Sequence, residues 1–279
     1  MKTNVIFKKF NSTGELSKYL EGQQVTNTFK SVADEGSYST SSSYARWALT
    51  NTYEEADNLL LYGDRELQKK IEDAGVKEMR TKLEHYANRR KVFSSVVGFA
   101  ANVPAYLSGT PNSMINVRQV RTKQKVLTFM YNTAVSGSVS AERIVRATAQ
   151  LVSAVLLIES SGVRVNVYAG EAFKENGEPY VCWLCRVKDS GQKLDTLKMS
   201  YPLAHPSMLR RHWFRLLETT EGVPERYVSG YGKVIDSEQE AQRVLKAANI
   251  NNIQRVLCFS DIEGHTAEEI AKMLVEGAK

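Results

Sequence analysis

The loop "NTAVSGSVS" at residues 132–140 lies between an apolar run and a long helical pattern, a position where phosphate- and metal-binding turns occur. A phosphate cradle needs several glycines, so that backbone N–H groups converge on the anion, and a Lys-Ser/Thr ending. This loop has Gly137 alone and no lysine, and it lacks the glycine spacing of a dinucleotide fingerprint. "SGYGKV" at 229–234 has two glycines but no preceding strand, and reads as a turn. Cys182 and Cys185 form a Cys-x-x-Cys inside the strand pattern "YVCWLCRVK", where a three-residue step changes face. Two buried thiols fit that spacing better than a zinc or redox pair, and Cys258 reads alike. His205 and His212 have a proline and no cysteine or carboxylate between them, and neither a Ser nor a Cys elbow is present. The expectation is a protein that is not an enzyme and takes no cofactor.

Charge offers the better lead. The net charge is +6, distributed as 15 basic against 13 acidic residues over 1–114, 15 against 7 over 115–215, and 7 against 11 over 216–279. Within the basic band, Arg118, Arg121, Lys123 and Lys125 fall in eight residues. "LRRHWFRLLE" puts Arg211 and Arg215 on one helical face, with His212 alongside and Arg210 to one side. Arg89, Arg90 and Lys91 extend the set. Arginines beside aromatic rings suit single-stranded nucleic acid, where phosphates meet charge and bases meet π-faces. The alternative is that Trp213 and Phe214 are core and the arginines pair with the acidic tail.

The elements that must position these residues are legible in outline. "NVIFKKF" reads as an edge strand, "GELSKYLEG" as a short helix, and "SVADEGSYSTSSSYA" as a Ser-rich loop. Thr52 or Asn51 caps a helix that stops at Gly63, and a longer helix over about 64–91 comes next, with Gly75 as its weak point. "VFSSVVGFAANVPAYLSGTPNSM" is apolar and rich in small residues, and reads as an extended connector packed on the next domain. Strands are predicted at 126–132, 163–170, 180–188 and 255–260, and helices at 141–159, 207–218, 237–248 and 266–276. A strand–helix–strand unit at 126–170 forces a parallel pair, and "KENGEP" suggests a hairpin. The predicted fold is α/β: a mainly parallel sheet with an antiparallel edge hairpin and helices on both faces. It occupies residues 115–279, after a mostly helical region at 1–114.

This order of elements, with the later "FSDIEG", resembles the von Willebrand factor A-like domain. The family pattern is Asp-x-Ser-x-Ser after the first strand and a second Asp later. Here Asn132, Ala134 and Ser136 stand at the loop positions and Asp261 matches the later Asp. A neutral Asn in place of the anionic ligand removes most of the attraction for a hard dication, so Asn132, Ser136 and Asp261 form a degenerate site with no metal expected. Four stretches, "WALTNTYEEADNLLLYG", "VVGFAANVPAYLSGTPNSM", "AQLVSAVLLIESSGVRVNVYAG" and "LAHPSMLRRHWFRLLE", are similar to an uncharacterised family of tailed-bacteriophage proteins. That resemblance implies a phage protein of the host bacterial cytoplasm. No run approaches the length of a membrane span and the start has no secretory h-region, so no membrane partner is expected. Two roles suit such a protein: a single-stranded-DNA binder that helps a phage RNA polymerase engage DNA, or a protein-docking adaptor of von Willebrand A type. The charge distribution favours the first.

Overall fold

Short polar residues mark where the chain turns into helix. After strand β1 (Val5–Phe10), the side chains of Ser12, Ser41, Thr52 and Asp64 each accept a first-turn backbone N–H. They open α1 (Thr13–Glu21), α2 (Ser42–Ala48), α3 (Tyr53–Tyr62) and α4 (Arg65–Ile71). The computed structural model describes residues 4–23, 36–79, 81, 92–117, 126–135, 139–175, 178–228, 231, 233–235 and 237–276. The cations Arg89, Arg90, Lys91, Arg118, Arg121, Lys123 and Lys125, and the loop residue Ser136, lie outside them. Helix α4 runs into a π-helical turn, Glu72–Val76, at Gly75, whose φ of +155° makes the break that the sequence anticipates.

The expected connector is instead a small unit of its own. β2 (Val92–Ser95), β3 (Ala100–Ala101) and β4 (Met114–Val117) form an antiparallel sheet in the order β2-β4-β3, with helix α5 (Val103–Leu107) between β3 and β4. β4 is hydrogen-bonded on both sides, to β2 and to β3, so the unit has a sheet of its own.

From residue 126 the chain builds the main sheet. β5 (Val126–Asn132) leads through Ser140, the N-cap of α6 (Ala141–Ser160), to β6 (Arg164–Lys174), and then to β7 (Tyr180–Lys188). α7 (Thr196–Ala204), a π-helical stretch Met208–Trp213, α8 (Phe214–Thr219), α9 (Glu225–Val228) and β8 (Lys233–Val234) come next. α10 (Glu238–Ala247), β9 (Arg255–Leu257), α11 (Phe259–Ile262) and α12 (Ala267–Glu276) complete the order. The strands lie in the order β1-β7-β6-β5-β9, with β8 paired to β6. β5 is parallel to both β6 and β9, β1 is parallel to β7, and the β6–β7 hairpin is antiparallel. The architecture is mixed α/β with a mainly parallel sheet.

Two features differ from the prediction. The hairpin is not an edge, because β1 adds to its outer strand across most of the chain length. One apolar cluster also contains Leu16, Leu20, Leu60 and Ile71 together with Phe129, Tyr131 and Val155, so the core is continuous across residue 114. The strand pleat divides the interior: Phe129 and Tyr131 face α6, while Met130 faces Ala241, Val244 and Leu245 of α10. Cys185 joins the first cluster and Cys182 the second, on opposite faces as their spacing requires. Burial pushes the Cys182 thiol up to about 12 and raises that of Cys185 as well. Among the described residues no helix is long and apolar enough to cross a membrane.

Gly170 sits in β6 between Asn132 of β5 and Leu184 of β7. A Cβ there would come within 2.9 Å of the Trp183 carbonyl oxygen and 2.6 Å of Met130 Cε. We expect Gly170→Ala to lower unfolding free energy by about 1–3 kcal/mol through overpacking, read from the urea midpoint.

Candidate functional site

The loop after β5 is bonded inward. Asn132 donates its side-chain amide to the Ile235 carbonyl at 2.7 Å and accepts the Ala134 N–H at 3.2 Å. Asp261 spends its carboxylate on the Cys258 N–H at 2.7 Å, within the cap of α11. Two of the three residues of the degenerate metal pattern therefore hold the loops after β5 and β9 in place. Among the described residues no three His, Cys, Asp or Glu side chains gather into a cation cage.

Beneath this loop is a group that sequence reasoning missed. Glu171 is fully buried in β6, with Oε2 3.5 Å from the Thr133 hydroxyl and no partner for Oε1 among the described residues. Trp213 donates its indole N–H to the same hydroxyl at 2.9 Å. Burial raises the Glu171 carboxyl well above its ordinary value. Its sequence signal is a lone carboxylate inside the apolar run "VYAGEAF".

The expected basic face on residues 210–215 is an interior clamp. Arg211 is fully buried and donates to the carbonyls of Ser37, Ser39 and Thr50, each at 2.8 Å, and to the Thr50 hydroxyl at 3.2 Å. Arg210 donates to the Trp47 carbonyl, and its guanidinium lies over the Trp47 ring. Arg215 donates to the Gln23 carbonyl at 2.9 Å, lies over the Tyr38 ring and stands 3.6 Å from Glu218. Glu218 accepts the N–H and hydroxyl of Ser37 and the hydroxyl of Tyr231. His212 is buried between the Tyr201 hydroxyl at 3.1 Å and Asp57 at 3.4 Å, and burial lowers its pKa against the pull of Asp57. Arg210, Arg211, His212 and Arg215 thus turn inward, and the three arginines tie the segment around residues 37–50 to the core. The Ser-rich loop supplies free carbonyls, and the planar guanidinium fork matches them. Trp213 and Phe214 are core, as the alternative predicts, but the arginines meet carbonyls more than acidic side chains.

Six of the large apolar side chains that stay exposed gather on one small unit. The unit built on β2, β3 and β4 has no charged residue from 92 to 117. Val96, Val97, Phe99, Val103, Tyr106 and Leu107 are 59 to 78% exposed on it. The frame beneath them is fixed: Phe99 N–H donates to the Ile115 carbonyl at 2.9 Å, and Asn102 N–H to that of Ser113 at 2.7 Å. Gly98 passes so close to Ile115 that a Cβ would stand 2.1 Å from its carbonyl oxygen. This concentration of exposed large apolar side chains makes the unit the candidate contact surface.

A family model for a domain of unknown function, DUF7192, matches residues 1–274, and the chain belongs to that family. Comparison with curated proteins and with solved structures gives no match.

Removing the Arg211 fork leaves three carbonyls without their donor in the interior. We expect Arg211→Met to cost roughly 3 kcal/mol or more in unfolding free energy, and Arg211→Lys to recover only part of it, by chemical denaturation. Glu171 should make stability depend on pH, because a carboxyl whose pKa is raised on folding favours the folded state fully below its unfolded pKa. That contribution falls as pH rises from there through the raised value. Glu171→Gln should abolish this decline while keeping the fold at pH 6, which unfolding midpoints measured across pH will show.

Proposed function

We propose that this member of the DUF7192 family is a non-enzymatic phage accessory protein that binds single-stranded nucleic acid, DNA first of all, in the host cytoplasm. One observation carries the reading. Phe99 and Tyr106 stand exposed on a charge-free unit whose flanking charges are all basic. Arg89, Arg90 and Lys91 precede it, Arg118, Arg121, Lys123 and Lys125 come after it, and the chain has no Asp or Glu from residue 85 to 141. Cations neutralise phosphates without regard to sequence, and aromatic faces accept any unstacked base. Bases paired in a duplex do not offer those faces, so the preference is for single strands. A protein of this kind would help a phage RNA polymerase engage opened DNA.

Val96, Val97, Val103 and Leu107 support a second reading, a protein-docking adaptor, because exposed aliphatic side chains gain more from a dry protein surface than from bases. Salt separates the two. Polynucleotide binding weakens steeply as salt rises, whereas apolar docking persists.

In a titration of labelled oligonucleotide at two salt concentrations, we expect a preference for single over double strands. Phe99→Ala/Tyr106→Ala should weaken binding about 10-fold or more, from stacking worth about 1–3 kcal/mol per base. Absence of binding at low salt would reject the reading. A partner from infected cells that survives nuclease would favour the adaptor.

A further inference from the structure

Helix α10 is amphipathic, with Ala241, Val244 and Leu245 buried against the sheet and a polar face outward. Its two acids are both occupied. Glu238 takes two bonds from Arg255, at 2.6 and 2.9 Å. Glu240 takes Lys174 at 2.7 Å and the Tyr180 hydroxyl at 3.2 Å. What the helix shows to solvent is then Gln239, Gln242, Arg243 and Lys246, at spacings of three and four residues that place them on one stripe. Arg243 and Lys246 form no ion pair among the described residues, so the stripe carries two uncompensated positive charges over about 10 Å of helix.

This stripe is one wall of an open groove of about 670 Å³ whose other wall comes from Gln254 and Arg255, at the start of the sheet-edge strand β9. Its lining is amide, guanidinium and ammonium, with one carboxylate, Glu238, already held by Arg255, and with Ile253 buried below. Amides offer both donors and acceptors to base edges and sugars, and cations hold phosphates. The groove between α6 and residues 262–266 is a weaker match, because its Arg143 is held by Glu263 at 2.6 Å.

We propose that the groove between α10 and β9 is a second contact surface for a polynucleotide strand, with Arg243 and Lys246 on successive phosphates and Gln239, Gln242 and Gln254 toward the bases. The proposal rests on the single-strand reading above and adds a surface remote in sequence from the basic flanks. It requires neither a metal nor a change of fold. Because both cations are exposed, their replacement leaves the core untouched.

The test compares wild type, Arg243→Glu/Lys246→Glu and Lys69→Glu/Lys272→Glu, which changes net charge equally at exposed sites elsewhere. Each is titrated with a labelled oligothymidylate across a salt series, and unfolding midpoints verify the fold. We expect the Arg243/Lys246 variant to bind about tenfold more weakly at low salt. The slope of log K against log salt should be shallower by about 1.4, the value for two phosphate contacts on a single strand. Binding equal to wild type, or weakened no more than in the Lys69/Lys272 variant, would overturn the groove while leaving the single-strand reading intact. If wild type does not bind at low salt, both fall. If Phe99→Ala/Tyr106→Ala binds as wild type but the Arg243/Lys246 variant does not, the groove stands and the aromatic unit does not.

Discussion

A guanidinium buried whole and held by backbone carbonyls governs how the N-terminal third of the chain meets the rest. Arg211 gives up its hydration and meets three carbonyls and a hydroxyl from residues 37–50. Taking a cation out of water costs several kcal/mol after relaxation, and only good geometry around the whole fork offsets it. The segment that supplies those oxygens must therefore sit in one place. Tyr38, stacked on Tyr53 and capped by Arg215, and Ser37, held by Glu218, depend on that placement. The π-helical stretch at Met208–Trp213 lies at the same contact and carries Arg210, Arg211 and His212.

The clamp changes what charge means in this protein. Three of the most conspicuous arginines of the basic band are consumed inside, and both acids of α10 are consumed at its edges. The net charge of a region thus says little about the charge it shows. Two surface features stand out among the described residues: a neutral apolar unit at 92–117 and a short cationic stripe on α10, in a region that is acidic by composition. On such a surface the potential is set by local arrangement rather than by the sum of charges over a region.

Local pattern made much of the α/β core readable. The apolar run of β5 and the strand–helix–strand spacing over 126–170 predict the parallel pair and its crossover helix. Cys182 and Cys185 fall on opposite faces as a period of two demands. The pairing of β1 with β7 was not legible, because no local rule joins Val5 to Tyr180. The clamp was hidden for a different reason: charged residues are read as surface, and the oxygens that satisfy Arg211 lie more than 150 residues away in sequence. The unit at 92–117 was visible by composition, but apolar composition alone predicts burial, and nothing local in the sequence marks which of its side chains stay exposed.

The place of β1 also bears on how the protein is made. Its register partner for Val5 is Tyr180, 175 residues further on. At synthesis rates of about 5–20 residues per second, that separation is roughly 10–35 s during which the strand has left the ribosome without its neighbour. Parallel pairing across such a distance carries a large loop-closure cost and forms late. The α1–α4 segment must wait with it, since its clamp on residues 210–215 is later still. The N-terminal third can therefore complete its docking only once residues 180–215 have been made.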